Sequence, residues 1–133
     1  MYRVAFWVET SHAVGRSLLR GALRYARLHG FWSFELLPAD VEDVLPAMST
    51  WRGTGVIARV WTREMERAVL KTKLPIIGVP LSNRQRQKKH PLSRVPEVVG
   101  NQAEIARIGA EHLMRNGYVN FAYVGDMNTF DWA

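Results

Sequence analysis

The stretch from Val98 to Asp126, VVGNQAEIARIGAEHLMRNGYVNFAYVGD, decides how the chain is read. It opens as a short strand and passes through Asn101, whose side chain can accept from the unpaired N–H groups that begin a helix. Glu104, three residues on, completes a capping-box pattern. Asn116-Gly117 is a helix stop, and Phe121 to Gly125 reads as a buried strand ending at Asp126. Ala106, Gly109, Ala110 and Leu113 fall on one helical stripe and are expected to face a sheet. Ile105, Ile108 and His112 lie to another side, so the apolar arc is wider than one sheet contact requires. Either the packing is generous there, or Ile105 and Ile108 meet a second domain or a second copy.

The same alternation runs back to the N-terminus. Tyr2 to Val8 is a nearly continuous apolar run, as suits a central parallel strand covered on both faces. Val14 to Leu28 has helical period, with Leu18, Leu19, Ala22, Leu23 and Ala26 on one face and Gly30 as the stop. Phe31 to Leu37 is a second strand. Asp40 to Trp51 is a helix that Pro46 must kink or restart. Gly55 to Val60 is a third strand, and Thr62 caps a helix to about Lys73. Pro75 to Val79 is a fourth strand, and Leu81 to Pro96 a long polar connection. Strands and helices alternating at this spacing mean βαβ crossovers. The expectation is an α/β fold: a doubly wound, parallel, five-stranded sheet of Rossmann or flavodoxin-like type.

A chain of 133 residues makes one domain. A hydrophobic content of 47% suits a folded core. No apolar run has the length of a bilayer span, and the N-terminal segment has neither the apolar length nor the cleavage site of a secretory signal. The expectation is a cytoplasmic protein without a membrane partner. With no cysteine, thiol catalysis, disulfides and cysteine metal sites are excluded.

A net charge of +6 could serve nucleic acid or be a surplus of surface arginine. Arg16, Arg20, Arg24 and Arg27 fall in a narrow stripe of the first helix, a face open to solvent or to an acidic partner. A second basic cluster, Arg84 to His90, lies in the long connection and reads as solvated surface.

In a doubly wound sheet, ligands bind beyond the carboxyl ends of the strands where the strand order reverses. For an order 2-1-3-4-5 that point lies between the first and third strands. The loops there carry Thr10, Ser11, His12 and Arg16 on one side, and Arg59 and Trp61 on the other. Hydroxyl, imidazole and guanidinium groups can bind hydroxyls, and an indole face can stack on a sugar. The same residues also suit solvated turns and helix caps. A dinucleotide site would need G-x-G-x-x-G after the first strand, where only Gly15 stands. The Walker G-x-x-x-x-G-K-[ST] is absent. A phosphoacceptor receiver would need clustered carboxylates where this chain has a lone Glu9, and an aspartate where it has Arg59. His12 has no short-spaced metal companions. Ser11 and His12 leave a nucleophile arrangement open, but no catalytic constellation is visible, and neither a cofactor nor enzyme activity is expected.

Taken in order, these pieces resemble the amino-terminal lobe of the sensor domain of lactose-repressor (LacI/GalR) type transcription regulators. The nearest likeness is to the xylose-operon regulators, which carry an AraC-type DNA-binding domain after the sensor. The resemblance rests on Gly55-Val56-Ile57-Ala58, Leu74-Pro75-Ile76-Ile77-Gly78-Val79, His112-Leu113 with Asn116-Gly117, and Phe121-Ala122-Tyr123-Val124-Gly125. Trp132-Ala133 and a first strand directly after Met1 point to the xylose branch. The chain departs from the pattern at Asn101, where the family often has Asp, and at Arg59, where an acidic or neutral residue is usual.

The resemblance implies a two-lobed receptor that closes on a sugar-like effector, possibly a pentose. Closure would bias a homodimer's grip on DNA, held through a domain missing from this chain. The last crossover and the second lobe are expected to be missing as well. A free-standing flavodoxin-like binding or assembly module and a small α/β enzyme are the alternatives.

Overall fold

The computed structural model describes residues 1–37 and 41–124. Within them, four strands form one parallel sheet in the order β2-β1-β3-β4. The strands are β1 (Tyr2–Trp7), β2 (Trp32–Leu36), β3 (Gly55–Ala58) and β4 (Ile76–Gly78). The helices are α1 (Ala13–His29), α2 (Val41–Thr50), α3 (Arg63–Lys71) and α4 (Gln102–Arg115). The α/β class, the parallel sheet and the reversal between β1 and β3 all follow the sequence reading.

The side-chain alternation of β1 builds two cores. Ala5 and Trp7 point to one face, where they join Val56 and Ala58 of β3 and are covered by Val44 and Met48 of α2 and Met65 and Val69 of α3. Phe6 and Val8 point to the other, where they meet Val79, Leu18, Leu19, Phe34 and Ile57. Helix ends follow local chemistry. Gly30 closes α1 at φ 117°, a backbone region that suits only glycine. Thr62 accepts from the Met65 N–H at 3.2 Å to start α3. Pro46 stays inside α2, at the loss of one intrahelical bond.

Three expectations are corrected. The connection after β4 is not a polar surface loop. Leu81 and Leu92 are fully buried in the α2–α3 core, and Gln85 is 1% exposed. Two of its arginines are ion-paired, while Lys88 and Lys89 are exposed as expected. Arg84 pairs with Glu66 at 2.6 Å, and Arg86 pairs with Glu97 at 2.6 Å. In the second correction, α4 forms as capped, with Asn101 accepting from the Glu104 N–H at 3.1 Å, but it buries no residue. Ala106 and Gly109 are exposed, while Ala110 and Leu113 are only half-buried. Gln102 and Ile105, near its start, border a cavity shared with Ile57, Ile77 and Val79 of the sheet side.

Third, Phe121 to Val124 make no strand, and Phe121, Tyr123 and Val124 are exposed. The physical reason lies at the outer edge of β4. There the Gly78 N–H donates to the Pro96 carbonyl and the Val98 N–H donates to the Gly78 carbonyl, both at 2.9 Å. That edge is taken by the segment before α4, as a bridge between Gly78 and Glu97. It stands where a short strand is expected. Asp40, Gly125, Asp126, Trp132 and Ala133 lie outside the described residues.

No helix among the described residues is long and apolar enough to cross a membrane.

Candidate functional site

The carboxyl ends of β1 and β3 are neighbours, with Trp7 paired to Ala58. The Arg59 N–H donates to the Trp7 carbonyl at 2.9 Å, so the ladder runs up to the first residue of the β3–α3 loop. The two loops that leave these strands therefore start side by side, at the one place where the sheet order reverses.

On the β1 side, the chain turns sharply into α1. Gly15 makes the turn possible, because a Cβ there would lie 1.8 Å from the Glu9 carbonyl oxygen. Within the turn, Ser11 Oγ donates to Glu9 Oε1. His12 Nε2 stands 3.5 Å from the same oxygen. Arg16 NH1 donates to the carbonyls of Thr10, at 3.1 Å, and Ser11. Arg16 thus clasps the loop that carries Thr10, Ser11 and His12, and its role is first to hold their shape. The hydroxyl of Ser11 is directed at a carboxylate rather than at His12, so the serine–histidine relay left open by sequence is not assembled in this geometry.

On the β3 side, the Arg59 guanidinium lies 3.7 Å from the centroid of the Trp61 ring, a cation–π contact. Burial pushes the Arg59 guanidinium below its ordinary value, and the charge of Glu9 opposes that shift. Trp61 is half exposed and keeps surface for a ligand. Gln85 sets the loop between them: its Nε2 donates to the Val60 carbonyl at 3.2 Å, while its Oε1 accepts from the Ser82 N–H at 2.9 Å.

The structure thus starts the loop of Thr10, Ser11 and His12 beside the loop of Arg59 and Trp61, brings His12 and Arg59 to one cavity, and gives Arg16 a supporting position. Two contributors were missed from sequence. Glu9 is the acceptor at the centre of the β1–α1 turn, and its place directly after an apolar strand was the available signal. Gln85 lies in a stretch whose charges concealed a buried amide, and no sequence pattern marks it.

The rim can offer hydroxyl, imidazole, carboxylate and guanidinium hydrogen bonds beside an indole face, the equipment for a small polyhydroxyl ligand. Among the described residues, no group of three or more His, Cys, Asp or Glu could hold a metal ion. Comparison of the chain with protein families, characterised proteins and solved structures finds no match.

Proposed function

We propose that this chain is the first lobe of a sugar-sensing domain that governs a transcription regulator. The observation that carries the reading is the pairing of the Arg59–Trp61 stack with the Ser11–Glu9–His12 turn across the β1–β3 reversal. A sugar has apolar ring faces edged by hydroxyls. An indole beside fixed donors and acceptors matches both features without needing a charged ligand. The rim belongs to one edge of one sheet, so it supplies contacts to one side of such a ligand only. A facing second lobe, a homodimer and a separate DNA-binding domain complete the proposed regulator, in line with the family resemblance. Closure of two lobes on the effector would then be what shifts the regulator between states.

The affinity of one lobe follows from this geometry. If a complete cleft held its effector at about micromolar, roughly −8 kcal/mol, half of that free energy corresponds to about millimolar. Trp61→Ala should remove the stacking face without touching the core, since the side chain is half exposed. Saturation-transfer NMR with D-xylose is expected to show contact from the sugar ring protons in the parent chain and none in Trp61→Ala. Equal transfer in both proteins would remove the Arg59–Trp61 stack from the site.

A further inference from the structure

We propose that the open half of the sheet, between α1 and α4, is a docking groove for an amphipathic helix with an acidic flank. This goes beyond the effector reading: the groove adjoins the rim, with His12 and Arg59 bordering both, and extends from there along α1. Both faces of a parallel sheet are ordinarily covered by helices. The α2–α3 face follows that rule. On the opposite face, among the described residues, α1 is packed against β1 and β2, while α4 has no buried residue. A cavity of about 950 Å³ remains over β3 and β4, floored by Ile57, Ile77 and Val79 and walled by Val14, Gly21 and Ile105.

Shape and polarity identify the occupant. Val14, Leu18 and Gly21 recur at helical spacing along the groove side of α1. Val14 is 70% exposed. That seam is about 10 Å long at 1.5 Å per residue, enough for roughly two turns of a facing helix. A concave trough of this length between two helices takes a convex rod better than a flat bilayer.

Charge then sets the flank. Helix α1 carries Arg16, Arg20, Arg24 and Arg27 and no aspartate or glutamate. Arg20 reaches Ser17 Oγ, on the groove wall, at 3.5 Å. On α4, by contrast, Arg107 pairs with Glu104 and Glu111, and Arg115 pairs with Glu111 at 3.1 Å. Among the described residues the uncompensated charge is therefore on the α1 rim, where aspartate or glutamate of the occupant would meet it. A second copy docking α1 on α1 would instead bring the two arginine stripes together.

The test uses the whole 133-residue chain and two designed amphipathic helical peptides. They share a leucine stripe, and one carries glutamate on its flank where the other carries lysine. Fluorescence anisotropy of the labelled peptides is expected to show the glutamate form binding at least tenfold more tightly. Arg20→Glu combined with Arg24→Glu should reverse that preference. Gly21→Phe should abolish binding. A Cβ at Gly21 meets nothing within 4 Å, and leaving glycine favours the helix, so the variant keeps its fold. Circular dichroism melting of Gly21→Phe checks this. The proposal is overturned if neither peptide binds, or if both bind alike and Gly21→Phe has no effect. It is equally overturned if sedimentation shows a dimer that Gly21→Phe dissociates, or if the chain binds phosphatidylserine vesicles and neither peptide.

Discussion

Gly15→Ala is expected to destabilise the chain by about 3 kcal/mol, although alanine is the better helix former by about 1 kcal/mol. The alanine Cβ would fall 1.8 Å from the Glu9 carbonyl oxygen and 2.8 Å from its carbon. Neither atom is the end of a flexible side chain, so the backbone of the β1–α1 turn has to move. Moving it pulls Thr10 and Ser11 from the Arg16 clasp and shifts Leu18 and Leu19 of α1 off Phe6 and Val8. Urea denaturation followed by tryptophan fluorescence would read the loss as a lower midpoint. If the variant is as stable as the parent, α1 does not approach β1 as closely as the structure has it. The same substitution should also disturb the rim, because Ser11 and His12 lie in the turn that must move.

Glu66→Gln should cost about 2 kcal/mol at neutral pH, short of the 3–5 kcal/mol of a fully buried pair because Arg84 is 45% exposed. Glu66 receives Arg84 at 2.6 Å on one oxygen and His90 Nε2 at 2.9 Å on the other. His90 Nδ1 accepts from the Leu92 N–H at 3.2 Å, and Nε2 lies between Glu66 Oε1 and Arg84 NH1, which is 3.0 Å away. The network pins the β4–α4 connection to α3 and so helps seat Leu92 in the core.

Burial alone would raise the pKa of Glu66, but the Arg84 hydrogen bond and charge, with His90 and Gln85, bring it below the ordinary value. Glu97 follows the same balance: burial raises it, while Arg86 and the Leu81 N–H lower it further. A carboxylate with a lowered folded pKa stabilises fully above its unfolded value, about 4.3, and the contribution fades as pH falls through the folded value. The parent chain should therefore hold its stability down to about pH 5 and lose it below about pH 4. The gap between parent and Glu66→Gln should narrow over the same window. Parallel stability curves from neutral to acid pH would show that Glu66 is not the group that titrates.

The parts legible in the sequence are those set by short-range pattern. The strands of a parallel sheet are apolar runs, and Val4 to Val8 and Gly55 to Ala58 announce themselves as such. Thr62, Asn101 and Gly30 mark helix ends because their chemistry acts within a few residues. The strand order expected from that alternation sets the β1 and β3 loops side by side, as the sheet has them.

The failures share one cause, which is dependence on distant partners. Leu81 and Leu92 stand alone among charged residues, and only the tertiary fold reveals that they enter the core. Arg84 and Arg86 look like solvated charge until Glu66 and Glu97 meet them from other segments. The apolar stripe of α4 and the run from Phe121 to Val124 have the right local pattern. A strand nevertheless needs a free edge, and Gly78 already bridges to Glu97. The clasp by Arg16 was equally hidden, since sequence does not say which carbonyls a guanidinium will find.

The most direct test of the sensing account is a titration of the chain with D-xylose, followed by backbone and indole resonances in ¹⁵N–¹H NMR. The account predicts fast-exchange shifts confined to Thr10–His12 and Arg59–Trp61, with a Kd of about millimolar. Micromolar binding by this chain alone would contradict a one-lobe half-site, and shifts that bypass both loops would contradict the site itself.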